Sequence, residues 1–441
     1  MQPTKSRVPF TFHPDFPENF GKSNNHMLSR KHTSCVTLTS SWKVVIKNSI
    51  MSARAFQLVW KLSPALRSSS RIPIYLVSSH LNTSTVTANI FEPLPRKDLI
   101  TRFKSKLRDR QFLPGSTGGG FPEFLAEPRD LFPLAVRVND STKSSLAELT
   151  AKCMEYVEEN FSRSPAILFR GLPAKSAEDF STIAQAIQGQ TMTYEGGTAF
   201  RTQIDKDVGT YTASIDPPSY TIEPHNEMAF NELFPHKVFF FCLKEPADGC
   251  GGETPLVKNS ELISKLDPGI LQKFEEKQIR YVRYLPDKTR HEYMNWQHAF
   301  ATEDREDVEP RAKDQGYNVT WDSDGDLYLW QVRPAFIRHP VTNEKIWFNQ
   351  AHSHHGSYYK AMPTFYGQEI PDDKFPCHVY YGDGSVIEPE TIQHIRIKSW
   401  ECAVGFQWRN GDLLVLDNLA VQHSRIGFTG DRRMLAYLTA N

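Results

Sequence analysis

Two short apolar runs constrain this chain most. Lys237-Val-Phe-Phe-Phe-Cys-Leu243 and Asp412-Leu-Leu-Val-Leu-Asp417 are strongly β-prone and predict strands. Arg433-Met-Leu-Ala-Tyr-Leu-Thr439 predicts another near the C-terminal end. Tyr328-Leu-Trp-Gln-Val332 and Ile346-Trp-Phe348 predict shorter strands among Pro, Gly and Asp turns. Upstream, Ala166–Arg170 predicts a buried strand closed by Gly171 and Pro173. Leu146, Leu149, Cys153 and Val157 recur at helical spacing across Ser145–Phe161. Ser176 caps a second predicted helix carrying Phe180, Ile183 and Ile187. Two early helices followed by many short strands predict a mainly β, α+β fold, an antiparallel sandwich or barrel with helical flanks.

The 441 residues are 39% hydrophobic and 12% aromatic, ample for a packed core, so wholesale disorder is excluded. No run of about 18 apolar residues exists, so no membrane-spanning helix is expected. The 51 Lys and Arg balance 51 Asp and Glu, which argues against a general nucleic-acid or membrane-surface binder. That balance joins two unlike parts. Residues 1–91 hold 11 basic and 2 acidic residues, for +9, and residues 92–441 carry −9. Six scattered cysteines without a C-x-x-C offer neither a disulfide framework nor a structural zinc spacing, as expected of a reduced, intracellular protein.

Residues 1–91 read as a basic, acid-poor extension, and 92–441 as the folded domain. Within the extension, the segment from Met51 to Arg71 is basic, acid-free, Ser-rich and weakly amphipathic. That is the composition of a mitochondrial transit peptide beginning at an internal methionine. Without such an address the chain is expected in the cytoplasm.

Two of the 15 histidines satisfy H-x-[DE], His13/Asp15 and His225/Glu227, a number expected by chance. Context separates them. His13 lies in the basic extension, whereas His225 follows Pro224 and stands just before the 237–243 run. A strand or strand end carrying His-x-Glu points both side chains to one face. One imidazole and one carboxylate, completed by a distant imidazole, make the facial triad of non-heme Fe(II) oxygenases. His423, beyond the 412–417 strand and its turn, is the best second histidine. The Arg432-Arg433 pair behind it could fork onto a carboxylate or could be surface charge. His352, His354 and His355 have no carboxylate nearby and read as a solvated loop or substrate-facing surface. Gly251-Gly252 allows a sharp turn, and Thr254 beyond it offers a hydroxyl.

Taken in order, Pro224-His-Asn-Glu-Met228, Phe239-Phe-Phe-Cys242, Gly251-Gly-Glu-Thr-Pro255, Gly411–Asn418, His423 and Arg432-Arg433 resemble the TauD/TfdA family. More narrowly, they resemble its clavaminate-synthase-like branch of Fe(II)/2-oxoglutarate oxygenases. Ala166–Pro173 and Gly196–Thr202 look like the plant members. The resemblance runs from roughly residue 110 to 441. It implies a cupin-like double-stranded β-helix, or jelly roll, with a large insert between its fourth and fifth core strands; the 198-residue separation of His225 and His423 fits one. Carried over by position, His225, Glu227 and His423 match the iron ligands, and Thr254 the threonine that contacts 2-oxoglutarate. Arg433 best matches the arginine for the cosubstrate's distal carboxylate, with Arg432 the fallback.

The sequence departs from the family in places. Glu227 stands where most members have Asp, as in the clavaminate branch, and Asn226 replaces a histidine of the plant relatives. Tyr437 takes the place of the taurine enzymes' sulfonate-binding arginine, which argues against a sulfonate substrate. Arg201, Asn226 and Asn349 are candidate substrate-facing residues. The implied activity uses Fe(II), 2-oxoglutarate and O2 to oxidise a small-molecule C–H bond, releasing succinate and CO2. A carnitine-pathway-type hydroxylase is the related alternative, though the cysteine spacing offers no N-terminal zinc site. A non-catalytic jelly-roll metabolite-binding protein is the alternative from another class. Neither nucleic acid nor membrane is expected as a partner, and the oligomeric state is not readable from sequence.

Overall fold

The computed structural model describes residues 89–439, apart from 140–142, 193, 195–196, 199–200, 202, 206–208, 215 and 291–292. Residues 1–88, including His13 and the leader-like segment from Met51, lie outside the described residues.

Seventeen strands are described. The first eight are β1 (Phe91–Pro93), β2 (Leu134–Val138), β3 (Ala166–Arg170), β4 (Gln203–Asp205), β5 (Thr210–Thr212), β6 (Ile222–His225), β7 (Lys237–Lys244) and β8 (Leu256–Lys258). There follow β9 (Ile279–Leu285), β10 (Asn318–Trp321), β11 (Leu327–Arg333), β12 (Phe336–Arg338), β13 (Lys345–Trp347) and β14 (His378–Tyr381). The last three are β15 (Leu413–Asp417), β16 (Val421–Arg425) and β17 (Arg433–Thr439). The large sheet runs β1-β2-β3-β15-β7-β17-β5-β4, and a small sheet runs β6-β16-β8.

The central place of β7 and β15 explains their unbroken apolar character. Val238, Phe240 and Cys242 join Leu414, Leu416 and Ala436 in one cluster with Leu256 and Val421 of the small sheet. The alternate residues Phe239, Phe241, Leu413, Val415 and Tyr437 face two helices instead. A strand buried on both faces has no place for a polar residue in its alternation. The helices are α1 (Leu146–Asn160) and α2 (Ala177–Ile187), which bury Leu149, Cys153, Val157, Phe180 and Ile183. Capping boxes start both, Ser145 with Glu148 and Ser176 with Asp179.

The predicted sandwich with helical flanks is therefore present, as a jelly-roll core of two facing sheets. One pairing departs from the antiparallel expectation: β2 and β3 run parallel. A parallel pair needs a long crossover, and α1 supplies it. The expected insert lies between β8 and β15. It holds a second sheet, β10-β11-β9-β14, the β12–β13 hairpin, and two helices that matter below, α3 (Ala351–His354) and α4 (Pro389–Cys402). Among the described residues no helix is long and apolar enough to cross a membrane, and the cysteines there are unpaired.

The insert reaches the jelly roll through His339, whose Nε2 lies 2.8 Å from an Asp417 carboxylate oxygen. The other oxygen accepts from the Leu419 N–H at 2.9 Å and caps the turn into β16. The Asp417 hydrogen bond raises the His339 pKa above the ordinary imidazole value.

Two outcomes follow for stability. Phe180 is fully buried, stacked on Phe241 at 5.4 Å, and Phe180→Ala should cost about 3–5 kcal/mol in urea unfolding. The His339 link favours the protonated form, so its stabilisation is complete below about pH 6.5 and fades as pH rises through the raised folded value. His339→Gln should therefore lose roughly 0.5 kcal/mol, as for a solvent-screened pair, at pH 5.5 and less at pH 9.

Candidate active site

The small sheet assembles the site. β16 is its middle strand, and its register places His423 directly opposite His225 on β6 and Leu256 on β8. The two imidazole rings lie 4.4 Å apart. Two histidines separated by 198 residues thus become a cross-strand pair. Glu227 follows β6 and brings its carboxylate to both. One ligand atom each from His225, Glu227 and His423 lies within 4.8 Å of the others. Among the described residues this is the one group of three that could hold a metal ion.

Backbone clamps hold the three in place. The Glu227 N–H donates to Asn418 Oδ1 at 2.7 Å, and Asn418 Nδ2 donates to the carbonyls of Glu227 at 3.0 Å and Pro235 at 2.7 Å. His225 Nδ1 lies 2.8 Å from the Glu223 carbonyl, which orients the ring. His423 Nδ1 is buried with no partner. A buried orphan nitrogen beside a second imidazole and a carboxylate fits the donor set of an Fe(II) site.

Charges around the triad are buried and matched. Arg201 Nη2 reaches Glu227 Oε2 at 2.6 Å, and His423 Nε2 lies 3.4 Å from the same oxygen. Burial alone would raise the Glu227 pKa, but Arg201 and the imidazoles hold it well below the usual carboxylate range. Burial, then His423, lowers His225 to about 4. The triad thus rests as a carboxylate and a neutral His225 imidazole, the forms that bind metal.

The predicted residues divide cleanly. Thr254 lines the same cavity as the triad, and its hydroxyl accepts from Trp408 Nε1 at 3.0 Å. Arg432 lines it too, donating to the Gly252 carbonyl at 2.8 Å and lying 3.4 Å from Thr254 Oγ1. Burial, then Arg425, lowers its pKa to about 9. Gly252 has φ +82°, and a Cβ there would come within 2.9 Å of Arg432 Cδ. The Gly-Gly turn is therefore needed both for its backbone conformation and for this arginine's path.

Arg433 corrects the expectation placed on it. It opens β17 at a register shift, its side chain is 71% exposed, and its nearest acid is Asp431 at 3.6 Å. The inward face of β17 belongs to Met434, Ala436 and Leu438. The arginine that reaches the cavity precedes the strand. Tyr437 likewise points to the helix side, packed on Phe239 and Phe180, away from the cavity.

Of the three substrate-facing candidates, Arg201 lines the cavity. Asn226 and Asn349 do not. Asn226 is fully buried and donates to the Asn418 and Val421 carbonyls. Asn349 donates to the Ala335 carbonyl at 2.9 Å and caps the Ala351 N–H. Both amides are fully buried and spend their N–H groups on backbone carbonyls. The solvated-loop reading of His352, His354 and His355 also fails. They are buried on and after α3, with His354 against Phe230 at 4.7 Å and lining the cavity.

Sequence reasoning missed Glu223 and Gln350. Glu223 stands two residues before His225, so the same period-two argument that joined Glu227 to His225 would have found it. It lines the cavity fully buried, paired to Arg396 of α4 at 2.8 Å. Burial raises its pKa to about 7 against the pull of Arg396. Gln350 carried no local signal.

A jelly roll with a His-Glu-His group beside an inward arginine defines a class, the non-heme iron oxygenases. Residues 130–439 match the family model described as taurine catabolism dioxygenase TauD, TfdA family, and the chain belongs to that family of iron- and 2-oxoglutarate-dependent oxygenases. It is 35% identical over 328 residues to a clavaminate synthase-like protein of Arabidopsis thaliana, covering 72% of this chain and 93% of that protein. It is 32% identical over 278 residues to the dapdiamide synthesis protein DdaC of Enterobacter agglomerans, covering 63% and 82%. Among solved structures it is similar to PvcB of Pseudomonas aeruginosa, at 16% identity and a TM-score of 0.41, covering 79% and 93%.

Replacing Asn418 by Ala removes three hydrogen bonds around Glu227 without touching the cavity wall. It is expected to destabilise the protein by roughly 3 kcal/mol, measured by urea unfolding.

Proposed function

We propose that the 92–441 domain hydroxylates a C–H bond of a small molecule, with His225, Glu227 and His423 holding Fe(II). One observation carries the reading: three ligand atoms converge within 4.8 Å in the cavity that Arg432 and Thr254 also line. Bound iron would supply activation of O2, coupled to conversion of 2-oxoglutarate to succinate and CO2. The protein's own groups do the rest. Arg201 keeps Glu227 ionised. Arg432 presents a guanidinium to the cosubstrate's distal carboxylate, and Thr254 adds a hydroxyl beside it. Phe230, Phe240 and Met362 line the cavity between the polar groups and limit access of water to the reacting atoms.

The test is anaerobic addition of Fe(II) and 2-oxoglutarate, watching for the metal-to-ligand charge-transfer band. The band is expected in the wild-type protein and absent in His225→Ala. Arg432→Ala should keep iron but weaken 2-oxoglutarate binding at least tenfold, while Arg433→Ala binds as wild type. A folded protein that retains iron yet shows no band would refute the proposal.

A further inference from the structure

Behind the triad lies a chain of buried amides. Asn226 stands between His225 and Glu227, and Gln422 immediately precedes His423. Neither lines the cavity, because neighbours along an extended chain point to opposite faces. Asn259, the first residue of the helix Asn259–Lys265 that follows β8, joins the two. Its Nδ2 donates to Asn226 Oδ1 at 3.2 Å and to the Leu419 carbonyl at 2.7 Å, and its Oδ1 accepts from Gln422 Nε2 at 2.9 Å. Asn226 Nδ2 donates in turn to the Asn418 and Val421 carbonyls. All three side chains are at most 1% exposed.

The chain spans the least regular part of the small sheet. The ladder of β16 with β6 pairs His423 with His225 and Arg425 with Ile222, and its register shifts between them. The ladder of β16 with β8 ends at the same residue, with His423 opposite Leu256. Beside the ligands, therefore, backbone pairing alone fixes the strands poorly, and the amide chain ties all three together one residue away. Gln422 does this at a cost. It donates through Nε2, while its Oε1 is buried with no partner. A stranded acceptor costs about as much as one net hydrogen bond returns. The residue thus contributes little to stability; what its amide fixes is the position of β16 relative to Asn259. Unmatched groups of this kind are expected first at functional sites.

We infer that Asn259 and Gln422 are positioning residues for the metal ligands: their amide link sets the spacing of His423 from His225 and Glu227, so the three donors are held together before iron arrives. This rests on the iron reading above and deepens it. The two residues reach the ligands through the backbone, by way of Asn226 on one side and the position before His423 on the other. Outer residues that hold ligands in place are typically worth about 10–100-fold in metal affinity.

The full-length protein is titrated anaerobically with Fe(II) at fixed 2-oxoglutarate, and iron affinity is read from growth of the charge-transfer band. Urea unfolding of each metal-free protein is measured beside it. Gln422→Met breaks the link and exchanges one unmatched acceptor, its own Oε1, for another, Asn259 Oδ1. Its unfolding midpoint should fall no further than that of Ser164→Ala, which removes a buried hydroxyl bonded to the Leu131 carbonyl at 2.6 Å, outside the cavity. Of these two variants only Gln422→Met should weaken Fe(II), by at least about tenfold. Saturating Fe(II) should then restore its band at the wild-type 2-oxoglutarate concentration. Asn259→Leu should weaken Fe(II) at least as much; should it fail to fold, Gln422→Met decides. Wild-type iron affinity in Gln422→Met overturns the inference, as does an equal loss in Ser164→Ala, which would make iron affinity a reflection of stability alone. A band that stays weak at saturating Fe(II) also overturns it, since the defect would then lie in cosubstrate binding. A wild-type protein that forms no band strikes the iron reading and this inference with it, a result distinct from the others.

Discussion

The antiparallel pairing of β16 with β6 and β8 is the constraint on which the site depends. One strand register sets His423 opposite His225 on one side and brings the Thr254 segment alongside on the other. A slip of one residue would turn His423 away from the cavity, because strand side chains alternate. The register is held from outside the site. Val421 belongs to the sandwich interior, and Ser424 donates to the Ile222 carbonyl at 2.7 Å. The Asp417-Asn418 turn just before β16 is tied down by His339 on one face and by Glu227 on the other.

Around this frame several buried charges are held as ion pairs. Arg201 meets Glu227, Arg396 meets Glu223, and Arg170 meets Asp412. A buried pair adds little net stability, since desolvation offsets attraction, but losing one member leaves an uncompensated ion. Such pairs hold groups in place. Glu223 and Glu227 stand on either side of His225, held by Arg396 of the insert and by Arg201, 26 positions before Glu227. The insert thus does more than fill space. Its helix α4 supplies Arg396, and α3 with the residue before it supplies His354 and Gln350 to the wall of the cavity.

Much of this was legible in the residues. The runs at 237–243 and 412–417, the two capped helices and the terminal strand appear where their patterns placed them, because local propensity and two-sided burial agree there. His-x-Glu at 225–227 was readable for the same reason, as a short-range pattern on a strand end. The failures share a cause. Positional likeness favours Arg433 over Arg432, yet the register shift at the start of β17 decides which neighbour points inward. Asn226 and Asn349 are substrate-facing candidates in the sequence, where nothing marks them as buried. Their partners are backbone carbonyls, which only the folded chain provides. His352, His354 and His355 looked solvated because Ser and Gly surround them, but the insert folds over them.

By itself the sequence determined the family and the mainly β architecture, and it singled out His225, Glu227 and His423 as candidate ligands, since each of these rests on local period or ordered spacing. Tertiary structure decided which arginine enters the cavity, which amides brace backbone, and which polar atoms remain unmatched in its wall. Those depend on the direction of a side chain relative to residues that only the fold brings beside it. No local pattern encodes that direction; strand register, a bulge and the packing of the insert do.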